Sequence, residues 1–121
     1  MNGFVFVFVG GGLGSVARYG VSLLTSDRIP GFPKQTFIAN IISCLILGIL
    51  IGIQMETGLS DSRKFLIITG FCGGFSTFSA FSSELYNLFL EHYYLLAITY
   101  IISSILISLL MIFIGIRIVY P

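Results

Sequence analysis

The chain has 121 residues, 56% of them hydrophobic and only 9% charged, with a formal net charge of +1 and a mean hydropathy of +1.04. Soluble domains carry about 25% charged residues, so this composition excludes an ordinary soluble domain and points to an integral membrane protein. A balance this close to neutral also excludes a basic face for nucleic acid and an acidic tail.

In chain order, four apolar stretches approach or exceed the ~20 residues that cross a bilayer: Gly3–Leu24, Thr36–Met55, Phe65–Leu90 and Tyr94–Val119. The first has no basic segment ahead of Phe4 and no small-residue cleavage pattern after it, and so reads as a retained span. Three short polar connections separate the spans. Thr25–Gln35 carries Asp27, Arg28, Pro30, Pro33 and Lys34; Glu56–Lys64 carries Asp61, Arg63 and Lys64; a tight turn surrounds Glu91 and His92. Residues 1–121 are therefore expected to form a single all-α domain of four transmembrane helices, without repeats or linkers.

Small residues recur at four-residue spacing in the first three spans, as Gly10/Gly14, Gly48/Gly52 and Gly70/Gly74. Such pairs let helix backbones approach closely in lipid. Arg18 falls near the end of the first span. In the second, Thr36 and Asn40 share a face, and Asn40 is the one side-chain amide deep in a span. Cys44 and Cys72 both sit in apolar sequence and read as small buried hydrophobes.

The third span holds the most informative stretch, GFCGGFSTFSAFSSE from Gly70 to Glu84. Its glycine, serine and threonine make a poor helix interior, so a break is expected there. Irregular backbone at membrane depth is tolerated only where protein buries it or where it lines a watery cavity. Phe78 and Phe81 follow at i,i+3 on one face; Glu84, a turn later, is expected near the membrane end. The fourth span carries Tyr100, Ser104 and Ser108 at i,i+4 steps.

Side-chain amides and hydroxyls donate hydrogen bonds, and aromatic ring edges carry positive quadrupole character. Asn40, Phe78, Phe81, Ser104 and Ser108 thus form a neutral donor set suited to a small anion, with no intramembrane lysine to trap it. Charge placement adds a second expectation. With four spans, Arg63, Lys64 and Arg117 fall on one side, and Arg28 and Lys34 on the other, with Arg18 ambiguous. So little positive-inside bias allows insertion both ways round and an antiparallel homodimer. A second subunit would supply partners for polar groups that lipid cannot satisfy.

These residues resemble those of the Fluc (CrcB) fluoride channels over essentially the whole chain. Gly11 to Tyr19, GGLGSVARY, is similar to that family's Gly-Gly-x-x-Gly-Ala-x-x-Arg-Tyr; Thr36 to Asn40, TFIAN, to its Thr-Leu-x-Val-Asn; and GFCGGFSTFSAF to its Gly-Phe-x-Gly-x-x-Thr-Thr-Phe-Ser-Thr-Phe. The resemblance implies an antiparallel, dual-topology homodimer in the cell inner (plasma) membrane, surrounded by lipid, with the third helix broken mid-membrane. It implies two pathways for passive, selective fluoride export, which confers fluoride resistance. Each pathway is expected to use Asn40, Phe78, Phe81, Tyr100, Ser104 and Ser108, with Arg18, Thr36, Thr77, Ser79 and Glu84 as further candidates for the pore or its vestibules. It also implies a structural sodium ion on the dimer axis, held by the backbone carbonyls of Gly73 and Ser76. This sequence departs from the family pattern at Ser43, Ser76 and Ala80, where glycine, threonine and threonine are usual.

A small multidrug-type proton-coupled antiporter would share four spans and dual topology. It needs an acidic residue embedded in the first span, and Gly3–Leu24 contains no Asp or Glu; the chain also has no Trp for an aromatic drug site. A non-transporting assembly subunit would explain the glycines but not the third-span motif. An enzyme has no nucleophile–base pair or metal set to work with.

Overall fold

A computed structural model describes residues 2–25 and 31–121; Asp27, Arg28 and Pro30 of the first connection lie outside the described residues. The described secondary structure is helical throughout, and four stretches are long and apolar enough to cross a membrane: Gly3–Leu24, Lys34–Glu56, Asp61–Leu90 and Tyr94–Val119.

Helix α1 (Gly3–Leu24) starts where the Asn2 side chain accepts a hydrogen bond from the Phe4 amide at 3.1 Å, which satisfies one of the amides that a helix start leaves without a partner. Helix α2 (Lys34–Glu56) follows Pro33 and ends at Thr57 and Gly58, whose amides both return to the Ile53 carbonyl. Gly58 has φ 79°, the left-handed turn that closes many helices and that a side chain would strain.

The third stretch is composite. Ser60 caps the short α3 (Asp61–Arg63). The chain then runs through a π-helix, Lys64–Cys72, into α4 (Gly73–Phe75). Ser76 (φ −80°, ψ 154°) and Thr77 (φ −152°, ψ 122°) are extended, and helix resumes as α5 (Phe78–Leu90). A turn through His92, with φ 64°, leads into α6 (Tyr94–Val119).

The helices associate in two main pairs, α2 with α6 and α1 with the π-helix and α4. Glycine makes both possible. A methyl group at Gly10, Gly14 or Gly74 would strike a carbonyl of Leu66, Phe71 or Gly11, and one at Gly48 would strike that of Ile112. On the α2–α6 seam, Gly115 answers Gly48 by lying against the Leu45 carbonyl and the Ile49 amide. Each pair thus meets backbone on backbone, the arrangement that small-residue spacing permits in lipid.

A smaller aromatic cluster ties α5 to this frame. Tyr100, fully buried, packs with Leu88 and Ala97 and meets the rings of Phe32 and Phe81 edge-on, with centroids 5.0 and 4.9 Å away. Large apolar side chains such as Phe4, Phe8, Leu95 and Leu106 point outward, as befits a molecule whose surroundings are as apolar as its interior.

Candidate functional site

The site is built around the two extended residues between α4 and α5. In a continuous helix the Thr77 amide would bond to the Gly73 carbonyl and the Ala80 amide to that of Ser76. Here the Thr77 amide donates to Asn40 Oδ1 at 2.9 Å, and the Ala80 amide donates to Thr77 Oγ1 at 3.2 Å. Asn40 therefore reaches from α2 to stand in for a helical acceptor, and Thr77 caps α5. Thr77 Oγ1 also lies 3.0 Å from Ser79 Oγ. The Ser76 hydroxyl donates to the Cys72 carbonyl at 2.7 Å. That carbonyl also receives the Ser43 hydroxyl at 3.3 Å, so serine at this departure from the family pattern bridges α2 to the π-helix.

With Oδ1 engaged by Thr77, Asn40 also borders a groove of about 280 Å³. Asn40 and Cys44 from α2, Ser76 and Thr77 from the break, Phe78 and Phe81 from α5, and Ser104, Ile105 and Ser108 from α6 line it. Five residues selected from the sequence as anion donors or ring edges thus share one groove. The rings of Phe78 and Phe81 lie 5.9 Å apart at 38°, and Phe78 is 79% exposed. Ser104 Oγ is closed off from solvent and has no hydrogen-bond partner. A buried hydroxyl left in that state is costly.

Tyr100 stands apart from Ser104 and Ser108. Steps of four along an α-helix drift by about 40° each, so Tyr100 turns away from the groove and backs Phe81 from behind. Its hydroxyl donates to Glu84 Oε2 at 2.7 Å, while Thr36 donates to Glu84 Oε1 at 2.5 Å. Glu84 therefore ties α2, α5 and α6 together, a role that its place in the sequence does not reveal. Thr36 and Glu84 also line a second cavity of about 280 Å³ with Ser15, Arg18, Gln35 and Ala80. Ala80, the other departure inside the third-span motif, contributes no hydroxyl there.

Gly73 is exposed, and a methyl group placed on it would meet nothing within 4 Å. The described residues contain no cluster of His, Cys, Asp and Glu that could hold a metal. Cys44 was not anticipated at the groove. The available signal was its position one turn after Asn40 on the same face.

The family model described as "CrcB-like protein, Camphor Resistance (CrcB)" matches residues 5–116. The chain belongs to the CrcB family. Curated CrcB relatives carry the name fluoride-specific ion channel FluC. The one from Azobacteroides pseudotrichonymphae is 43% identical over 102 residues, covering 83% of this chain and 82% of that protein. The one from Flavobacterium psychrophilum is 39% identical over 112 residues, with 91% and 90% covered. The one from Paracoccus denitrificans is 38% identical over 115 residues, with 95% and 92% covered. CrcB proteins are ion channels and not enzymes, and the four apolar helices make this member a multi-pass membrane protein.

Proposed function

We propose that this CrcB chain is a fluoride-selective channel of the cell inner membrane that lets fluoride leave passively, down its electrochemical gradient, and so confers fluoride resistance. The observation that carries this reading is the groove itself. It gathers the Asn40 amide, the Ser104 and Ser108 hydroxyls and the Phe78/Phe81 pair, and one hydroxyl in it lacks a partner. A small anion gives up strongly held water on entering, and channels replace such water with fixed polar groups. Neutral donors and ring edges do this without a full positive charge that would hold the ion in place.

The interruption at Ser76–Thr77 is read as a break in the third span at membrane depth. The working unit is an antiparallel, dual-topology homodimer with two pathways. Phe78, largely exposed, and Gly73, open at its Cα, are the surfaces offered to the inverted copy. Arg18, Thr36 and Glu84, around the second cavity, form the vestibule from which an ion reaches Asn40. The backbone carbonyls of Gly73 and Ser76 fit a sodium ion, because their usual helical donors are diverted to Asn40 and Thr77 and hard cations take oxygen ligands. That ion would supply a fixed positive charge joining the two copies.

Liposomes loaded with fluoride and containing only this protein are expected to release fluoride, and negligible chloride, once an ionophore clears the voltage. Retained fluoride would overturn the channel reading. Topology has its own test. A single cysteine placed in the 56–60 connection, in a chain lacking Cys44 and Cys72, is expected to react with impermeant reagents from both membrane faces. Reaction from one face alone would rule out inverted copies.

A further inference from the structure

Thr36, Asn40 and Cys44 follow one another at four-residue steps along α2, about 12 Å from first to last. Thr36 borders the second cavity, whereas Asn40 and Cys44 border the groove. One turn on from Cys44, Gly48 presses on the Ile112 carbonyl, and Ile112 is itself one turn past Ser108. The two cysteines are thus unlike. Cys72 is buried, with its thiol directed at the Ser43 carbonyl, and Cys44 is partly open on the groove wall. Across the groove from Cys44, α6 carries Ser108 and Ser104, and the Ser104 Oγ is enclosed and has no hydrogen-bond partner.

We infer that Cys44 lines the ion path one turn before the α2–α6 seam closes at Gly48, and that its thiol is the point where a small alkylthiosulfonate blocks conduction. The inference rests on reading the groove as the fluoride pathway. In the reaction the Cys44 thiol gives its proton to solvent, and the thiolate attacks the sulfenyl sulfur of methyl methanethiosulfonate. A disulfide to the S-methyl group forms, and methanesulfinate leaves with the electron pair of the broken S–S bond. A dithiol reductant reverses the step by exchange. The adduct puts apolar bulk where α2 and α6 converge and removes a weak donor.

The test treats proteoliposomes of the full chain, of Cys72→Ala and of Cys44→Ala with methyl methanethiosulfonate. Flux is read as treated over untreated within each protein, and adduct occupancy by intact mass. At least a tenfold loss is expected in the full chain and in Cys72→Ala, recovered on adding dithiothreitol; Cys44→Ala is expected to show a ratio near one. Recovery on reduction separates a blocked path from a collapsed fold. Unchanged flux at full Cys44 occupancy, a thiol that stays unmodified in excess reagent, or equal block in Cys44→Ala would overturn the role of Cys44 alone. An untreated full chain that passes no fluoride would overturn the channel reading and this inference with it.

Discussion

Asn40→Leu is expected to reduce fluoride flux at least tenfold, equivalent to about 1.4 kcal/mol or more added to the barrier. The substitution removes two things at once. The Thr77 amide loses its acceptor at 2.9 Å, an interhelical bond of a kind worth about 1–2 kcal/mol in model membrane helices. The groove loses its only side-chain amide. Asn40→Asp separates these roles, because a carboxylate oxygen still accepts from Thr77 while the donor is replaced by negative charge. It should assemble normally and conduct no better than Asn40→Leu. Phe81→Ile, which takes a ring from the pair, is expected to cost a similar factor. Phe89→Leu is the aromatic control: its ring lies against Tyr94, away from the groove. Efflux at matched protein, with dimer content read by size-exclusion chromatography, decides. Wild-type flux in Asn40→Leu and Phe81→Ile would reduce both residues to packing.

The second large effect concerns assembly. Gly48→Val is expected to remove most of the monodisperse protein recovered in detergent and to lower the melting temperature of what remains. The added Cβ would collide with the Ile112 carbonyl and lie 2.9 Å from its Cα, and backbone cannot swing aside as a flexible side chain can. Overpacking usually costs about 1–3 kcal/mol, and contact between two main chains belongs at the upper end or beyond. Gly20→Ala, where nothing lies within 4 Å of the new atom, should leave recovery unchanged. Equal recovery of the two variants would mean that the α2–α6 seam has more slack than its geometry indicates.

Long apolar runs made the four-span, all-helical architecture legible in the sequence, and α1 and α6 end where those runs end. The third stretch was harder. Asp61–Lys64 reads as a polar connection, yet Ser60 caps a helix there, which capping chemistry could have revealed. The π-helix over Lys64–Cys72 had no signal, because a run that is apolar on every side carries no period to read. For the groove, side-chain chemistry found Asn40, Phe78, Phe81, Ser104 and Ser108. Spacing and the family resemblance grouped Tyr100 with the two serines; in the structure its ring packs behind Phe81 and its hydroxyl reaches Glu84. The hydrogen bonds of Glu84 to Thr36 and Tyr100 were not legible, because these partners lie far off in the chain and meet it only after folding.

The interruption at Ser76–Thr77 has an electrical consequence. Peptide dipoles add along a helix to about half a positive charge at its N-terminus and half a negative charge at its C-terminus. One unbroken helix would carry both poles to the membrane surfaces, where water screens them. Two shorter ones bring a negative pole at the end of α4 and a positive pole at the start of α5 together, with only two residues between them; on the proposed reading of the break, that meeting point lies inside the membrane. The positive pole opens at Thr77 and Phe78, on the wall of the groove. The chain thereby presents attraction for an anion and for a cation at neighbouring points without placing a lysine, arginine or aspartate there. A double change that mends the helix, such as Ser76→Ala with Thr77→Ala, would erase both poles together.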